Sequence, residues 1–312
     1  MRFEFEPAFV EEAVFIAMRS ASTTASDSAA YNSERESVYA LQDAEARDRA
    51  FTSLHTRWFA RQGLEKPLKA LLAERRGLET RLNRFLVCLA YRSKEEGVEL
   101  FGAASEPTPV FRAALRLKVE TLLNTSVLER LVRHELMHLA DMLNPVFRFD
   151  PHPRFPGATA AQQGLVHDRF SSLWDLRIDA ALFHEGVEGE MPREGHARRL
   201  WRAWNGGAWV SELVDRSFDG QVLDPYDCPA LLQFAADGNR LVDCLGLRTC
   251  ELPVATTAMP CPVCGFPSRS WSTHPERLPE EIQAEIRAKH PGWSAAQGLC
   301  IQCEEMVQAA LR

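Results

Sequence analysis

The sequence lacks any apolar run long enough to span a bilayer. It opens with Met1-Arg-Phe-Glu-Phe-Glu6, acids where a signal peptide needs a basic start and an apolar stretch. A membrane partner is therefore not expected, and the cytoplasm is the expected compartment. Positive charge is also scarce: 36 Lys and Arg against 43 Asp and Glu leave a net charge of −7 and a pI near 5.8. That balance offers no global attraction for phosphate backbones, so a nucleic-acid partner would require a local basic patch. Nor do the eight cysteines read as a disulfide framework. Cys88, Cys228, Cys244 and Cys250 are scattered among apolar neighbours and read as small buried hydrophobes, with only Cys244 and Cys250 close enough to a later pair to be considered with it. What is present is an ordinary globular composition, 46% hydrophobic and 25% charged over 312 residues, enough for a full core.

Periodicity divides the chain. Pro7–Arg19 carries an apolar stripe (Phe9, Val10, Ala13, Val14, Ile16) and predicts a helix, the polar stretch Ser20–Ala30 predicts a loop, and Ser33–Arg75 is helical again, with Trp58 and Phe59 assigned to a core. The texture changes at Thr80. Arg84–Tyr91, Gly97–Phe101 and Arg112–Thr121 read as strands, the last leading directly into a helix. Further helices are expected over Leu165–His184, over Gly195–Ser217 around a Gly206-Gly207 break, and over Asp224–Ala236. The Pro/Phe/His-rich loop Phe147–Gly157 lies between and is placed to cover a cleft. The expected division is a helical region 1–79, a domain 80–250 and a small module 251–312.

The chemistry centres on Ser126–Leu143. His134-Glu135-Leu136-Met137-His138 is a His-Glu-x-x-His string, which on a helix puts two imidazoles one turn apart on one face, where a single tetrahedral metal can accept both. Glu135 then stands beside the open position as a general base. Ser126 and Glu129 are spaced as a capping box, Asn144-Pro145 supplies a stop, and Leu128, Leu131, Val132, Leu139 and Met142 give the helix a flank to bury. Chance His-Glu-x-x-His matches rarely bring such a helix with them.

Two histidines do not complete a catalytic site, which needs a third protein ligand and a position for water. Downstream, Asp175 and Asp179 are four apart and share a helical face, so one can bind metal while the other orients His134 or His138 through its second nitrogen. Asp141, on the same face as the histidines, is an alternative that belongs more naturally behind the ligands, and His152 and His167 are alternative third ligands. Tyr226, His184 and Arg177 are candidate oxyanion donors.

The motif resembles that of the zincin metallopeptidases, specifically over the helix and in outline elsewhere. The resemblance implies an α+β, mainly helical domain with a small mixed sheet, and a strand beside the metal that aligns an extended peptide, a role falling here to Arg112–Thr121. The acid pair is similar to the gluzincin arrangement, in which an acidic ligand is followed one turn later by a supporting acid, although that family usually has Glu where this chain has Asp175. Asp-x-x-Ile-Asp with the following Leu182 also resembles metallopeptidase-like domains found beside von Willebrand A-type domains. His152-Pro-Arg-Phe155 loosely resembles the His-Gly element of SprT-like proteases, without the glycine.

Near the C-terminus, Cys261-Pro-Val-Cys264 and Cys300-Ile-Gln-Cys303 are two knuckles whose four thiolates close a tetrahedral site around an insert of 35 residues. This predicts a structural Zn²⁺ in a zinc-ribbon-like domain with a helix over Pro279–His290. His274 or His290 is a possible but unneeded substitute ligand. The expectation is thus a zinc-dependent metallopeptidase or amide hydrolase with one catalytic and one structural zinc, acting on a protein or peptide. Its competitors are a SprT-like protease acting on nucleic-acid-bound proteins and a catalytically silent zinc-binding interaction protein.

Overall fold

Phenylalanines alternate with charged residues over Arg2–Phe5, and this short stretch forms strand β1 in the computed structural model, a strand that sequence periodicity over four residues does not announce. The structure describes the chain apart from residues 21–22, 103–110, 154–159, 205–206, 221, 248–258, 269–270, 273–274 and 311–312. Cys250, Gly206, His274 and part of the loop after Phe147 lie outside the described residues. Two compact units are formed, Met1–Pro145 and Val146–Arg312. The architecture is α+β and mainly helical with a small mixed sheet, as expected. No described helix is long and apolar enough to cross a membrane. Among the scattered cysteines Cys228 is buried as expected, whereas Cys88 is half-buried and Cys244 is exposed.

In the first unit β1 leads into α1 (Pro7–Arg19), α2 (Ala25–Tyr39), α3 (Ala44–Arg61), α4 (Lys66–Glu74) and a single turn α5 (Leu78–Arg81). Then come β2 (Leu82–Leu89), β3 (Gly97–Phe101), β4 (Phe111–Leu117), α6 (Val119–Leu123) and α7 (Thr125–Leu143). The loop expected over Ser20–Ala30 gives way to helix at Ala25, because the Thr24 hydroxyl accepts the Asp27 N–H at 3.1 Å and so caps α2. Strand order is β1-β2-β4-β3, with β3 antiparallel to β4 and the other pairs parallel. Arg112–Thr121 is therefore not the edge. Its strand, β4, is paired on both sides and buries Ala113, Ala114, Leu115 and Leu117, and from Val119 the chain turns into α6. The edge beside α7 is β3.

One core joins the sheet to the helices: Phe85, Val87, Leu115 and Leu117 pack with Phe9, Leu54, Trp58 and with Leu128, Val132, Leu136 and Leu139 of α7. Truncating one of these to alanine should cost about 2–5 kcal/mol. The cap of α7 is Asn124, not Ser126: its Oδ1 accepts the Val127 N–H at 3.3 Å, and the Ser126 hydroxyl donates to the same oxygen. Rotation of α7 about its axis is fixed by Arg133, whose Nε and Nη2 donate side-on to the Glu74 carboxylate of α4 at 2.8 and 3.1 Å while Nη1 reaches Glu129 at 3.0 Å. The Arg133 hydrogen bonds hold the Glu74 carboxyl below its ordinary value.

The second unit contains α8 (Ala160–His184), α9 (Arg193–Ala203), α10 (Ala208–Gly220), α11 (Cys228–Ala236) and α12 (Gly238–Leu245). The hairpin β5 (Met259–Pro260) and β6 (Pro267–Ser268), α13 (Glu280–Lys289) and α14 (Ile301–Ala310) complete it. α8 packs against α9, α10 and α11 and buries Leu173, Trp174, Leu176, Ile178, Ala180 and Leu182, so it has no clean polar face over that stretch. Arg169 of α8 is buried too. Its guanidinium donates to the carbonyls of Ala203 at 2.9 Å and Ala235 at 3.4 Å, at the ends of α9 and α11 where carbonyls lack helical partners, and it lies over Trp204. Burial brings its pKa down to about 10, still well above neutrality.

Candidate metal centres

His134 and His138 lie four apart on α7 and are 5% and 8% exposed. Their rings are tilted 69° apart with centroids 4.7 Å apart, and the two Nε2 atoms stand 3.0 Å from each other. Two bonds of about 2.0–2.1 Å at a tetrahedral zinc would put these nitrogens roughly 3.3 Å apart. The imidazoles are thus close to the spacing that one cation needs.

Asp175, the expected third ligand, lies on α8 in the second unit. Two imidazoles and a carboxylate are a donor set that suits zinc, and three protein ligands leave a fourth tetrahedral position. The Asp175 carboxylate is also held from α9, where Arg199 Nη1 donates to Oδ2 and Nη2 reaches the Ser171 hydroxyl at 3.2 Å.

Asp179, expected behind an imidazole, is 1% exposed. Its Oδ1 accepts the Glu190 N–H at 3.0 Å, and its Oδ2 accepts the Met191 N–H and meets His196 Nε2, both at 2.9 Å. A carboxylate at that distance selects the imidazole tautomer carrying its proton on Nε2. The loop can wrap this closely only because residue 189 is glycine: a Cβ there would fall 2.5 Å from Asp179 Oδ1. Asp179 thus ties α8 to α9 and to the loop before it.

Glu135 is half-buried and turned towards the sheet edge, where its Oε2 accepts the Val98 N–H of β3 at 2.7 Å. The preceding Gly97 has φ 147° and runs close by the same carboxylate, a backbone path that favours glycine. The edge strand therefore aims the candidate base. Sequence reading identifies Glu135 but not what orients it.

The second group is Cys261, Cys264, Cys300 and Cys303, again with all four ligand atoms within 4.8 Å. The Sγ atoms of Cys261 and Cys303, and of Cys264 and Cys300, are 3.9 Å apart. That is far beyond a disulfide bond and near the roughly 3.8 Å expected across a tetrahedral zinc with 2.3 Å bonds. The first knuckle is the turn between β5 and β6, and the second opens α14. Backbone N–H groups point at the sulfurs, Cys300 N–H to Cys261 Sγ at 3.3 Å and Cys303 N–H to Cys300 Sγ at 3.4 Å. Burial pushes the Cys261 thiol up, but amide donors of Cys264, Cys300 and Val263 outweigh it and bring it down to about 7. The 35-residue insert builds its own small core from Leu278, Ile282, Ile286, Trp293 and Leu299 beside the cysteines.

The expected ligands thus stand as a pair of facing histidines on α7 and a group of four cysteines able to hold a metal ion, with Asp175 on α8 of the second unit. What sequence reading misses is the surrounding scaffold: Arg199 and His196 belong to no motif, and their spacing of three on α9 is the one signal that they face a common neighbour. The candidate oxyanion donors have other partners or settings. Arg177 pairs with Asp224 at 3.3 Å, Tyr226 packs edge-on against Phe234, and His184 sits exposed at the end of α8. No protein-family model matches the chain, and no curated protein or solved structure shows a significant match to it.

Proposed function

We propose that this protein is a zinc-dependent peptidase or amide hydrolase of the zincin type, with His134, His138 and Asp175 as ligands and Glu135 as general base. The observation that carries the reading is a pair of imidazole nitrogens 3.0 Å apart on α7, next to a glutamate anchored by its own hydrogen bond. A zinc ion on these ligands would supply a Lewis acid for a carbonyl oxygen and bring the ionisation of a water molecule towards neutrality. Glu135 takes the proton from that water at Oε1 while the Val98 N–H steadies Oε2, and the same carboxyl returns the proton to the leaving amine.

The substrate is a protein or peptide segment in extended form. Because the Val98 N–H points away from β4, the two-residue alternation of an antiparallel ladder turns the N–H and C=O of Leu100 the same way, which suits pairing with an added strand. The four cysteines carry a structural zinc, since four thiolates leave no position for substrate. Retaining these thiolates as ligands suits a reducing compartment such as the cytoplasm.

The test is Glu135→Gln, assayed on a fluorogenic peptide library with zinc content measured in parallel. Turnover should fall by about 10²–10⁴-fold or more with zinc retained. Undiminished turnover in the variant, or a fully metallated wild-type protein that cleaves nothing, would overturn the proposal, and the second result would favour a silent zinc-binding role.

A further inference from the structure

A cavity of about 270 Å³ lies in the first unit, where the end of β1 and the start of α1 face α3. At about 30 Å³ per water molecule it has room for roughly nine waters, or for one small organic molecule. Phe5, Val10 and Phe51 supply apolar wall. Phe51 is braced from two directions, its ring stacked on that of His55 at 5.8 Å and met edge-on by Tyr39 at 4.9 Å. The charged residues on the lining are both acids, Glu11 of α1 and Asp48 of α3. Both are exposed, and among the described residues neither carboxylate has an ion-pair partner. A third polar group on the lining, His55, is only 5% exposed, and its Nε2 stands 3.2 Å from the Tyr31 hydroxyl. Among the described residues Nδ1 has no such partner, so it is the nitrogen left for an occupant. Burial holds the His55 pKa below its ordinary value, with Glu11 opposing and Arg35 of α2 adding to the effect, so the ring is neutral at pH 7 and brings no positive charge to the cavity.

We propose that this cavity is a binding site for a small primary amine with an aromatic or branched apolar body. The body fills the space between Phe5, Val10 and Phe51. The ammonium sits between Glu11 and Asp48 and donates one N–H to His55 Nδ1, which places the imidazole proton on Nε2, where the Tyr31 oxygen accepts it. The faces of the two phenylalanine rings also favour a cation beside them. An anion of the same size would meet two carboxylates with no cation on the lining to offset them, and a neutral molecule would leave both acids unbalanced. The site uses none of the proposed metal ligands, and its occupancy does not depend on either zinc centre.

Isothermal titration calorimetry on the full-length protein tests this with three amines: phenethylamine, cyclohexylmethylamine and isopentylamine. At least one should bind saturably with a Kd of about 1 mM or tighter. 3-Phenylpropionate, the same ring on a chain ending in a carboxylate, should bind about 10-fold or more weaker than phenethylamine. Replacing both acids, Glu11→Gln with Asp48→Asn, should weaken amine binding by roughly 3–30-fold and remove most of its salt dependence. Thr52→Phe, at an exposed position on the lining, should abolish binding by filling the space; if that variant fails to fold, the charge variant decides. Unchanged amine affinity in either folded variant, equal affinity for 3-phenylpropionate, or no saturable binding by any of the three amines overturns the proposal.

Discussion

Replacing Asp179 by Asn changes one atom in a dry site and should be costly. The carboxylate receives three donors, the Glu190 N–H on Oδ1 and the Met191 N–H and His196 Nε2 on Oδ2. An asparagine has a single acceptor oxygen. With that oxygen in the Oδ2 place its amide nitrogen faces the Glu190 N–H, and flipped it faces two donors instead. The better choice still strands one buried N–H, at about 1–3 kcal/mol, and turns the surviving bonds from charge-assisted to neutral, roughly halving their strength. The sum is about 2–4 kcal/mol. For a unit of roughly 150–250 residues, each kcal/mol moves Tm by about 2–4 °C, so a fall of roughly 4–16 °C is expected. Thermal unfolding followed by the fluorescence of the buried Trp174, Trp204 and Trp209 reads it out. A Tm within about 2 °C of wild type would refute the assignment of Asp179 to the α8–α9 tie. Metal affinity measured on the same variant separates that tie from a direct role behind an imidazole.

Metal analysis of Cys303→Ala should find one zinc ion fewer per chain with the other kept, and His138→Ala should show the complementary loss; loss of both ions from the cysteine variant would contradict two separate centres. Gly97→Ala forces a side chain into φ 147° beside Glu135, and should cost about 1–3 kcal/mol and reduce kcat more than metal content, checked by urea denaturation and zinc assay together. His55 gives a pH signature. Burial lowers its pKa below the ordinary 6.5, with Glu11 opposing and Arg35 adding to the effect, so on acidification the unfolded chain takes up the proton first. The first unit should therefore lose stability as pH falls below about 6.5, an effect absent above it and diminished in His55→Gln; identical pH slopes for the two proteins would count against it.

Both donor sets are legible in the sequence because each is written in short-range spacing. His134 and His138 need one helical turn, and each cysteine pair needs one knuckle. Asp175 is legible only as one candidate among several, since spacing along α8 does not choose between it and Asp179. The edge strand is misread from sequence for a related reason. Arg112–Thr121, read as the strand that aligns a peptide, is instead paired on both sides, and its Arg116 meets Glu99 of the neighbouring β3 at 3.2 Å. Asn124 displaces Ser126 as the cap because either residue can supply an oxygen at that turn, and spacing to Glu129 alone does not decide between them. Arg199 and His196 leave only a spacing of three on α9, and the Val98 N–H leaves no trace, because they act across helices or through the backbone.

The two donor sets differ in the charge they would leave on a divalent ion, and that difference assigns their work. Four thiolates overcompensate zinc and surround it with anions, so a carbonyl oxygen would find neither a position nor a positive charge there. Two neutral imidazoles, even with one carboxylate added, would leave a divalent ion a net positive charge and an open side. On the proposed reading the hydrolytic site therefore belongs to α7 and the structural zinc to the C-terminal knuckles. An exchange of roles would require an open coordination position among the four cysteines, and their sulfur spacing of 3.9 Å in both pairs fits a closed tetrahedron instead.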